Sequence, residues 1–163
     1  MTDKHCTLVL LHRDDEILLA MKKRGFGANR WNGVGGKIEP GETVEQALVR
    51  ETQEEISVTP VSFEKVAYHD FVMDVDSNAP WHMFVHVYMC DSWEGEPTES
   101  EEMAPQWYKV KDIPYDDMWQ DDIVWLPQVL KGKKLDCRFT FNHDDTMTGA
   151  SFTIVGSFDG ADA

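Results

Sequence analysis

The sequence has no run of about 18 apolar residues, the length that a membrane-spanning helix needs. Its first residues contain no cationic leader followed by an apolar stretch. It has only three cysteines, Cys6, Cys90 and Cys137, and these are widely spaced. An odd number at such spacing indicates neither a disulfide framework nor a zinc site. We therefore expect a cytoplasmic protein that has no membrane partner.

Basic residues are scarce. The chain has 15 lysines and arginines against 30 aspartates and glutamates, which gives a net charge of −15. This balance argues against a nucleic-acid partner and against an anionic membrane surface. A small anionic substrate is still compatible with it, provided that cations are placed locally.

Internal repeats, low-complexity blocks and a dividing linker are also missing. With 163 residues, of which 42% are hydrophobic, the chain is long enough to bury one core. We predict a single domain over residues 1–163, with residues 1–5 and 157–163 frayed, and we expect a monomer.

The apolar patterning predicts mixed strands and helices. Strands are predicted at 6–12, 16–21, 64–75, 82–90, 105–110, 137–141 and 150–155. One helix is predicted over 43–56, where Thr43 and Gln46 form a capping-box pattern. A second is predicted over 113–130, where Pro127 should interrupt or kink it. Because the elements do not alternate as regular β–α–β units, we expect an α+β fold.

Glutamates are concentrated in the first predicted helix. Glu51 follows Ala47 by four residues and Glu55 follows Glu51 by four, so both carboxylates continue the apolar stripe. Like charges at this spacing repel by a few tenths of a kcal/mol, roughly, per pair. Clustered carboxylates are the oxygen ligands that Mg²⁺ takes. For the helix taken alone, a solvated acidic face is an equally weighted alternative.

The surrounding pattern resembles the Nudix box of the Nudix hydrolase family. The match consists of a glycine, five residues, a glutamate, seven residues, then Arg-Glu-x-x-Glu-Glu and a terminal apolar residue, at Gly36, Glu42, Arg50, Glu51, Glu54, Glu55 and Val58. Two positions depart from the box. Thr52 replaces an aliphatic residue, and Ser57 replaces a glycine and should strain a left-handed helix end by about 1 kcal/mol.

This resemblance implies a Nudix-type α/β/α sandwich, with a mixed sheet between helices, and Mg²⁺-dependent hydrolysis of a nucleoside diphosphate linked to another group. It also implies a catalytic set of Arg50, Glu51, Glu54, Glu55 and Glu102. The implied metal ligands are Gly36, through its carbonyl, and Glu51, Glu54, Glu55 and Glu102.

Two further segments bear on the substrate. Residues 21–37 form the one basic island, with Lys22, Lys23, Arg24, Arg30 and Lys37. Cations beside a metal cluster suit a polyphosphate, although solubilising surface charge is the alternative. In the same island Phe26, Trp31 and Asn32 could stack on a base or bond to it.

The second segment contains the pair Asp121-Asp122, close to Trp119. Neighbouring carboxylates tend to share a proton, so one protonated and one ionised carboxyl could read both the acceptor and the donors of a 6-oxo purine. An acidic cap at a helix start is the alternative.

Both segments resemble a branch of the family that hydrolyses oxidised purine nucleoside triphosphates, and the likeness runs from about Thr7 to Val155. The chain departs from those relatives at Val34 and Met73, where they have phenylalanine, and in a longer hairpin around residues 74–81. These departures put base preference in question. The resemblance implies these substrate-binding residues: Thr7, Lys22, Phe26, Asn32, Val34, Gly35, Lys37, Met103, Trp119, Asp121 and Asp122.

The reaction implied by this likeness converts 8-oxo-dGTP and related oxidised purine triphosphates to the monophosphate and pyrophosphate, by attack at the β-phosphorus. Other substrates are alternatives within the family: O6-methyl-dGTP, 2-hydroxy-dATP, ADP-ribose or a dinucleoside polyphosphate. An alternative outside enzymology is a catalytically silent Nudix module that only binds. The intact glutamates argue against that alternative.

Overall fold

The computed structural model describes residues 3–158. The described part of the chain contains nine strands and two α-helices. The strands are β1 (Lys4–Arg13), β2 (Glu16–Lys22), β3 (Trp31–Asn32), β4 (Val34–Lys37), β5 (Thr59–Met73), β6 (Trp81–Glu94), β7 (Met103–Lys109), β8 (Lys134–Phe141) and β9 (Met147–Val155); the helices are α1 (Val44–Ile56) and α2 (Asp122–Leu130). Within residues 3–158, neither helix is long and apolar enough to cross a membrane.

The strands form one mixed sheet in the order β3-β2-β1-β6-β5-β8-β9, with β4 paired to β1 and β7 to β2. Strand β1 runs parallel to β6, and β5 runs parallel to β8, whereas the other pairs are antiparallel. The first half of β1 pairs with β4 and its end pairs with β2.

The sheet separates two hydrophobic cores. Along β1, Leu10 packs in the core that contains α2, whereas Val9 and Leu11 pack in the core that contains α1. Both faces of β1 and β2 are therefore buried, which explains why these strands have continuous apolar runs rather than alternation. The predicted α+β sandwich, with a mixed sheet between helices, is confirmed.

Helix α1 begins and ends as the sequence predicts. Thr43 and Gln46 form the capping box, and Ser57 adopts the left-handed conformation at φ 63° that the family usually gives to glycine. The second departure from the box is also accommodated, because the buried Thr52 hydroxyl donates to the carbonyl of Leu48 at 2.7 Å.

The prediction of a helix over 113–130 is wrong for its first half. Pro114 forces extended backbone on Ile113, and the chain then forms a short 3₁₀ turn at Tyr115–Asp117 before α2 begins at Asp122. Pro127 does not end α2, which continues to Leu130. Pro127 has no N–H to donate to the carbonyl of Ile123, a residue that is exposed on the surface.

The expected fraying of residues 1–5 is wrong for Lys4 and His5, which already pair with β6. Residues 1–2 and 159–163 lie outside the described residues.

Strands β3 and β4 were not predicted, because three of the residues in and between them are glycines and give no apolar alternation. The longer hairpin is present as residues 74–80 between β5 and β6.

Candidate active site

A cleft of about 370 Å³ opens on the face of the sheet that α2 covers. Its walls come from β1, from the segment between β2 and β4, from β5 and β6, and from the start of α2. The structure brings all but one of the predicted substrate-binding residues into these walls: Thr7, Lys22, Phe26, Asn32, Gly35, Lys37, Met103, Trp119, Asp121 and Asp122.

Val34 is the exception, and its assignment to the substrate site is corrected. Its side chain is 1% exposed and packs in the α1 core with Leu48 and Val9. Val34 shares a face of β4 with Gly36, which lies against Glu51 of α1.

Two of the metal-ligand candidates, Gly36 and Glu51, meet where β4 passes α1. A Cβ atom at Gly36 would lie 2.5 Å from the Glu51 carboxyl carbon. Only glycine therefore allows the strand and the carboxylate to approach so closely. This contact places the glutamates of α1 against the backbone at the edge of the cleft.

Arg50 holds the outer side of this cluster. Its guanidinium donates to Glu42 at 2.7 and 2.9 Å, to Glu51 at 3.0 Å, and to the Lys37 carbonyl at 3.1 Å. The bond to Arg50 lowers the pKa of Glu42 to about 2. The predicted pair with Glu54 is also present, at 3.2 Å, although Glu54 is mostly exposed. These bonds fix the carboxylates, so Arg50 acts as a positioning residue.

On the inner side of the cluster, the carboxyl groups of Glu51 and Glu55 are costly to ionise. Burial, followed by the charge of Glu51, raises the pKa of Glu55 to about 8. Burial likewise raises the pKa of Glu51. Glu55 Oε2 is buried and has no hydrogen-bond partner. Two neighbouring carboxyls that resist ionisation, one of which has a buried oxygen without a partner, fit the oxygen donor set of a hard divalent cation.

No three histidine, cysteine, aspartate or glutamate side chains within residues 3–158 are already arranged around one metal position. Glu102 lies apart from the cluster: its Oε1 accepts from Arg24 Nη2 at 3.1 Å and its side chain is half exposed. Its charge still contributes to the raised pKa of Glu55. The metal role of Glu102 stays a prediction.

The basic island divides into two groups. Lys23, Arg24 and Arg30 form ion pairs, with Glu99, with Glu101 and Glu102, and with Asp145 respectively. The charges of these three side chains are therefore paired within the protein. Lys22 and Lys37 instead line the cleft. Lys22 is close enough to Glu55 to lower its pKa, so one cation of the island does lie beside the carboxylate cluster.

Aromatic side chains form the entrance. Phe26 stacks on Trp119 with ring centroids 5.3 Å apart, and the Arg30 guanidinium lies 4.1 Å from the Trp119 ring. Phe26 also makes an edge contact with Trp81, the first residue after the longer hairpin loop. Phe26 is nevertheless 45% exposed, so a planar ligand could stack on the exposed part of its ring.

The aspartate pair lies at the start of α2, as base reading by both carboxyls requires. Asp121 and Asp122 are 2% and 3% exposed. Asp121 is the N-cap residue of α2 and Asp122 lies in its first turn, as the helix-cap alternative expects, but the Asp121 side chain makes no capping hydrogen bond. Trp125 Nε1 donates to both, at 2.9 Å to Asp121 Oδ2 and 3.1 Å to Asp122 Oδ1. Asp121 Oδ1 and Asp122 Oδ2 have no donor.

Both aspartates have raised pKa values. Burial raises the pKa of Asp121 to about 6. Burial, followed by the charge of Asp121, raises the pKa of Asp122 further. Because the charge of Asp121 opposes ionisation of Asp122, the two carboxyls resist being ionised together. A pair with one protonated and one ionised carboxyl would give the cleft both a donor and an acceptor.

This arrangement predicts a stability that depends on pH. An acid whose pKa is raised by folding stabilises the fold at low pH, and that contribution is lost as pH rises through about 6 and above. Asp122→Asn removes one of the two buried carboxyls that are costly to ionise at high pH. We therefore expect the free energy of unfolding of the variant at pH 8 to exceed that of wild type by about 1–3 kcal/mol. At pH 5 the difference should be much smaller.

Urea unfolding in the presence of a chelator, at both pH values, measures this difference. Asp136→Asn, at an exposed position of β8, is the matched control and should show no such change. An Asp122→Asn variant with the same relative stability at pH 5 and pH 8 would contradict the shared proton.

Several cleft residues were not predicted from the sequence. They come mainly from the inward-facing positions of β5, β6 and β8 and from α2, namely His69, Phe71, Met73, Met83, Val85, Phe141 and Trp125. The strict alternation of β5 and β6 was a usable signal for which residues share a face. Nothing in the sequence indicated which end of that face would remain open.

Comparison with known proteins agrees with this geometry. A family model for the NUDIX domain matches residues 3–129. The chain is 43% identical to the oxidized purine nucleoside triphosphate hydrolase of Mus musculus, over 96% of this chain and 99% of that protein. It is 39% identical to the 8-oxo-dGTP diphosphatase of Escherichia coli, over 67% of this chain and 81% of that protein.

A solved structure of a MutT protein from Bacillus halodurans has the same fold. It superposes with a TM-score of 0.80 at 24% identity, over 91% of this chain and 97% of that chain. The glutamate helix against a glycine strand, the mixed sheet between two helices and the family match lead to one conclusion. The chain belongs to the NUDIX domain family and is a Nudix hydrolase.

Proposed function

We propose that the protein hydrolyses 8-oxo-dGTP and related oxidised purine nucleoside triphosphates to the monophosphate and pyrophosphate, and so clears oxidised purines from the nucleotide pool. The observation that carries the proposal is the buried carboxyl pair Asp121 and Asp122, each with an oxygen that has no partner among residues 3–158, in the same cleft that Gly36 joins to the glutamate helix. The names of the Mus musculus and Escherichia coli relatives support it.

We further propose Mg²⁺ as the divalent cation, held by Glu51 and Glu55 with the Gly36 carbonyl and Glu54. When bound, it would neutralise the glutamates, polarise a phosphate and make a bound water more acidic. The chain's own residues hold the rest of the substrate. Lys22 and Lys37 would attract the phosphates, and Phe26 and Trp119 would cover the base.

In this proposal Asp121 and Asp122 orient the base. A protonated Asp122 would donate to an acceptor such as a 6-oxo group, while an ionised Asp121 would accept from a neighbouring N–H. The water attack would then occur at the β-phosphorus, between the base pocket and the glutamates.

We also propose a monomer in the cytoplasm that uses small nucleotides and no nucleic acid. A net charge of −15 disfavours contact with a phosphate backbone. Cys6, Cys90 and Cys137 are all free thiols, which suits a reducing compartment.

A substrate panel tests the function. Pyrophosphate release is measured on 8-oxo-dGTP, 2-hydroxy-dATP, O6-methyl-dGTP and dGTP, and AMP release on ADP-ribose, each with Mg²⁺ and with a chelator. We expect the highest kcat/KM on oxidised or modified purine triphosphates and no release in chelator. Binding of nucleotide without any turnover in Mg²⁺ would instead favour the silent binding module.

Lys22→Ala is expected to raise KM by about five- to tenfold and to change kcat less, because Lys22 would hold the nucleotide rather than the leaving group. High salt should weaken wild-type binding in the same direction by screening this charge. Lys23→Ala is the matched control, because Lys23 pairs with Glu99 on the surface. An unchanged KM in Lys22→Ala would place Lys22 among the surface charges.

A further inference from the structure

His69 is the polar exception in an apolar row. The inward-facing residues of β5 are Ala67, His69, Phe71 and Met73, and all of them belong to the buried face of the sheet. His69 is 1% exposed and lies in the wall of the cleft. A sequence that only needed to fill this position would use an apolar residue, as it does on either side.

The surroundings of His69 give its Nε2 atom no hydrogen-bond partner. The neighbours across the sheet are Val85 on β6 and Cys137 on β8. The imidazole makes edge contacts with Phe71, Phe139 and Trp125, and the closest is Trp125 at 4.6 Å between centroids. A buried polar atom without a partner destabilises a fold, so packing alone does not explain this histidine.

The other polar atoms without partners indicate what His69 is for. Thr7 Oγ1, Asp121 Oδ1 and Asp122 Oδ2 are also buried and unpartnered, and their residues line the same cleft. Trp125 connects His69 to the aspartate pair, since it contacts the His69 ring and donates to both aspartates. Four unsatisfied atoms around one cavity are expected where a polar ligand supplies the missing bonds.

We infer that His69 is a specificity-determining residue of the base pocket, whose Nε2 forms a hydrogen bond to the purine of the substrate, directly or through one ordered water. This inference rests on the proposed function, since it takes the ligand to be an oxidised purine nucleotide.

The charge state of His69 suits this role. Burial lowers the pKa of His69 to about 3, so the imidazole is neutral throughout the physiological range. A neutral imidazole can present Nε2 as a donor or as an acceptor, depending on its tautomer. His69 can therefore donate to one purine and accept from another, whereas the indole N–H of Trp125 can only donate.

Two variants test the role. His69→Leu removes the polar atoms while keeping a similar volume, and His69→Gln places an amide at about the reach of Nε2. Each is measured for KM and kcat on 8-oxo-dGTP with Mg²⁺. Binding of the product 8-oxo-dGMP in chelator is followed by tryptophan fluorescence, and the urea unfolding midpoint is recorded.

We expect His69→Leu to raise both KM and the product Kd by about five- to twentyfold, with kcat within about twofold and an unfolding midpoint equal to or above that of wild type. His69→Gln should recover at least part of the affinity. His82→Leu is the matched control: this histidine lies on β6 outside the cleft and pairs with Asp70 at 2.6 Å, so KM and Kd should not change.

Three results would overturn the inference. The first is a KM and a Kd within twofold of wild type in His69→Leu, and the second is weaker binding that accompanies a lowered unfolding midpoint. The third is a His69→Gln variant no better than His69→Leu. These results leave the proposed function intact if wild type hydrolyses 8-oxo-dGTP. A wild type that neither binds nor hydrolyses oxidised purines overturns the function and this inference together.

Discussion

Glu55→Gln is expected to lower the hydrolysis rate by at least about a hundredfold, which corresponds to roughly 2.7 kcal/mol of barrier. The substitution keeps the size of the side chain but removes one charge at the most buried carboxylate of the cluster. Glu55 Oε2 is a buried oxygen that has no hydrogen-bond partner among residues 3–158. Its loss as an anionic ligand should therefore weaken Mg²⁺ binding and the rate together.

The same variant should still bind nucleotide in the absence of metal, because the base pocket is built by other segments. Steady-state rates over a Mg²⁺ titration, with product binding in chelator, separate the two effects. Glu45→Gln, an exposed carboxylate on the first turn of α1, is the matched control and should keep full activity. If Glu55→Gln turned over within threefold of wild type, the metal role given to Glu55 would be wrong.

Asp121→Asn and Asp122→Asn are expected to unbalance base preference rather than to weaken all substrates alike. An asparagine cannot gain or lose a proton, so the pair can no longer present its donor and acceptor in either order. A bond lost to a buried partner is worth roughly 1–3 kcal/mol. The ratio of kcat/KM values for 8-oxo-dGTP and 2-hydroxy-dATP should therefore move by about five- to a hundredfold.

Measuring both substrates on both variants decides the point. Asp136→Asn serves again as the control for removal of an exposed aspartate charge. Equal losses on the two bases would reduce the pair to a structural element held by Trp125, and the proton-sharing hypothesis would then fail.

The parts of the site that were predicted from the sequence are those fixed by local geometry. The carboxylate stripe of α1 follows from a four-residue spacing within one helix, and the capping box and the left-handed Ser57 follow from neighbouring residues. The resemblance to the family then gave the cleft residues at distant positions, such as Lys22 and Trp119. Val34 was misplaced because its strand was not predicted, and one residue of register decides which face a side chain occupies.

The parts that were missed depend on long-range pairing. Nothing local indicates that His69 would lie between Val85 and Cys137, or that Trp125 would hold both aspartates. The start of α2 was also predicted too early, at residue 113. Pro114 keeps Ile113 extended, and a 3₁₀ turn follows before the helix begins at Asp122. That late start matters, since it places Asp121 and Asp122 at the end of the helix axis, where both carboxyls can reach the cleft.

The parallel pairing of β1 with β6 has a consequence for the order in which the chain folds. Lys4 and Met83, which are partners in that pairing, lie about 80 residues apart in the chain. Closing so long a loop costs entropy that is recovered only once β5 and β6 have formed a surface to receive β1. Because Thr7 lies on β1 and Phe141 on β8, the cleft spans most of the described chain. No early, locally folded intermediate can contain it, and during synthesis the chain stays without a substrate pocket until its last third has emerged from the ribosome.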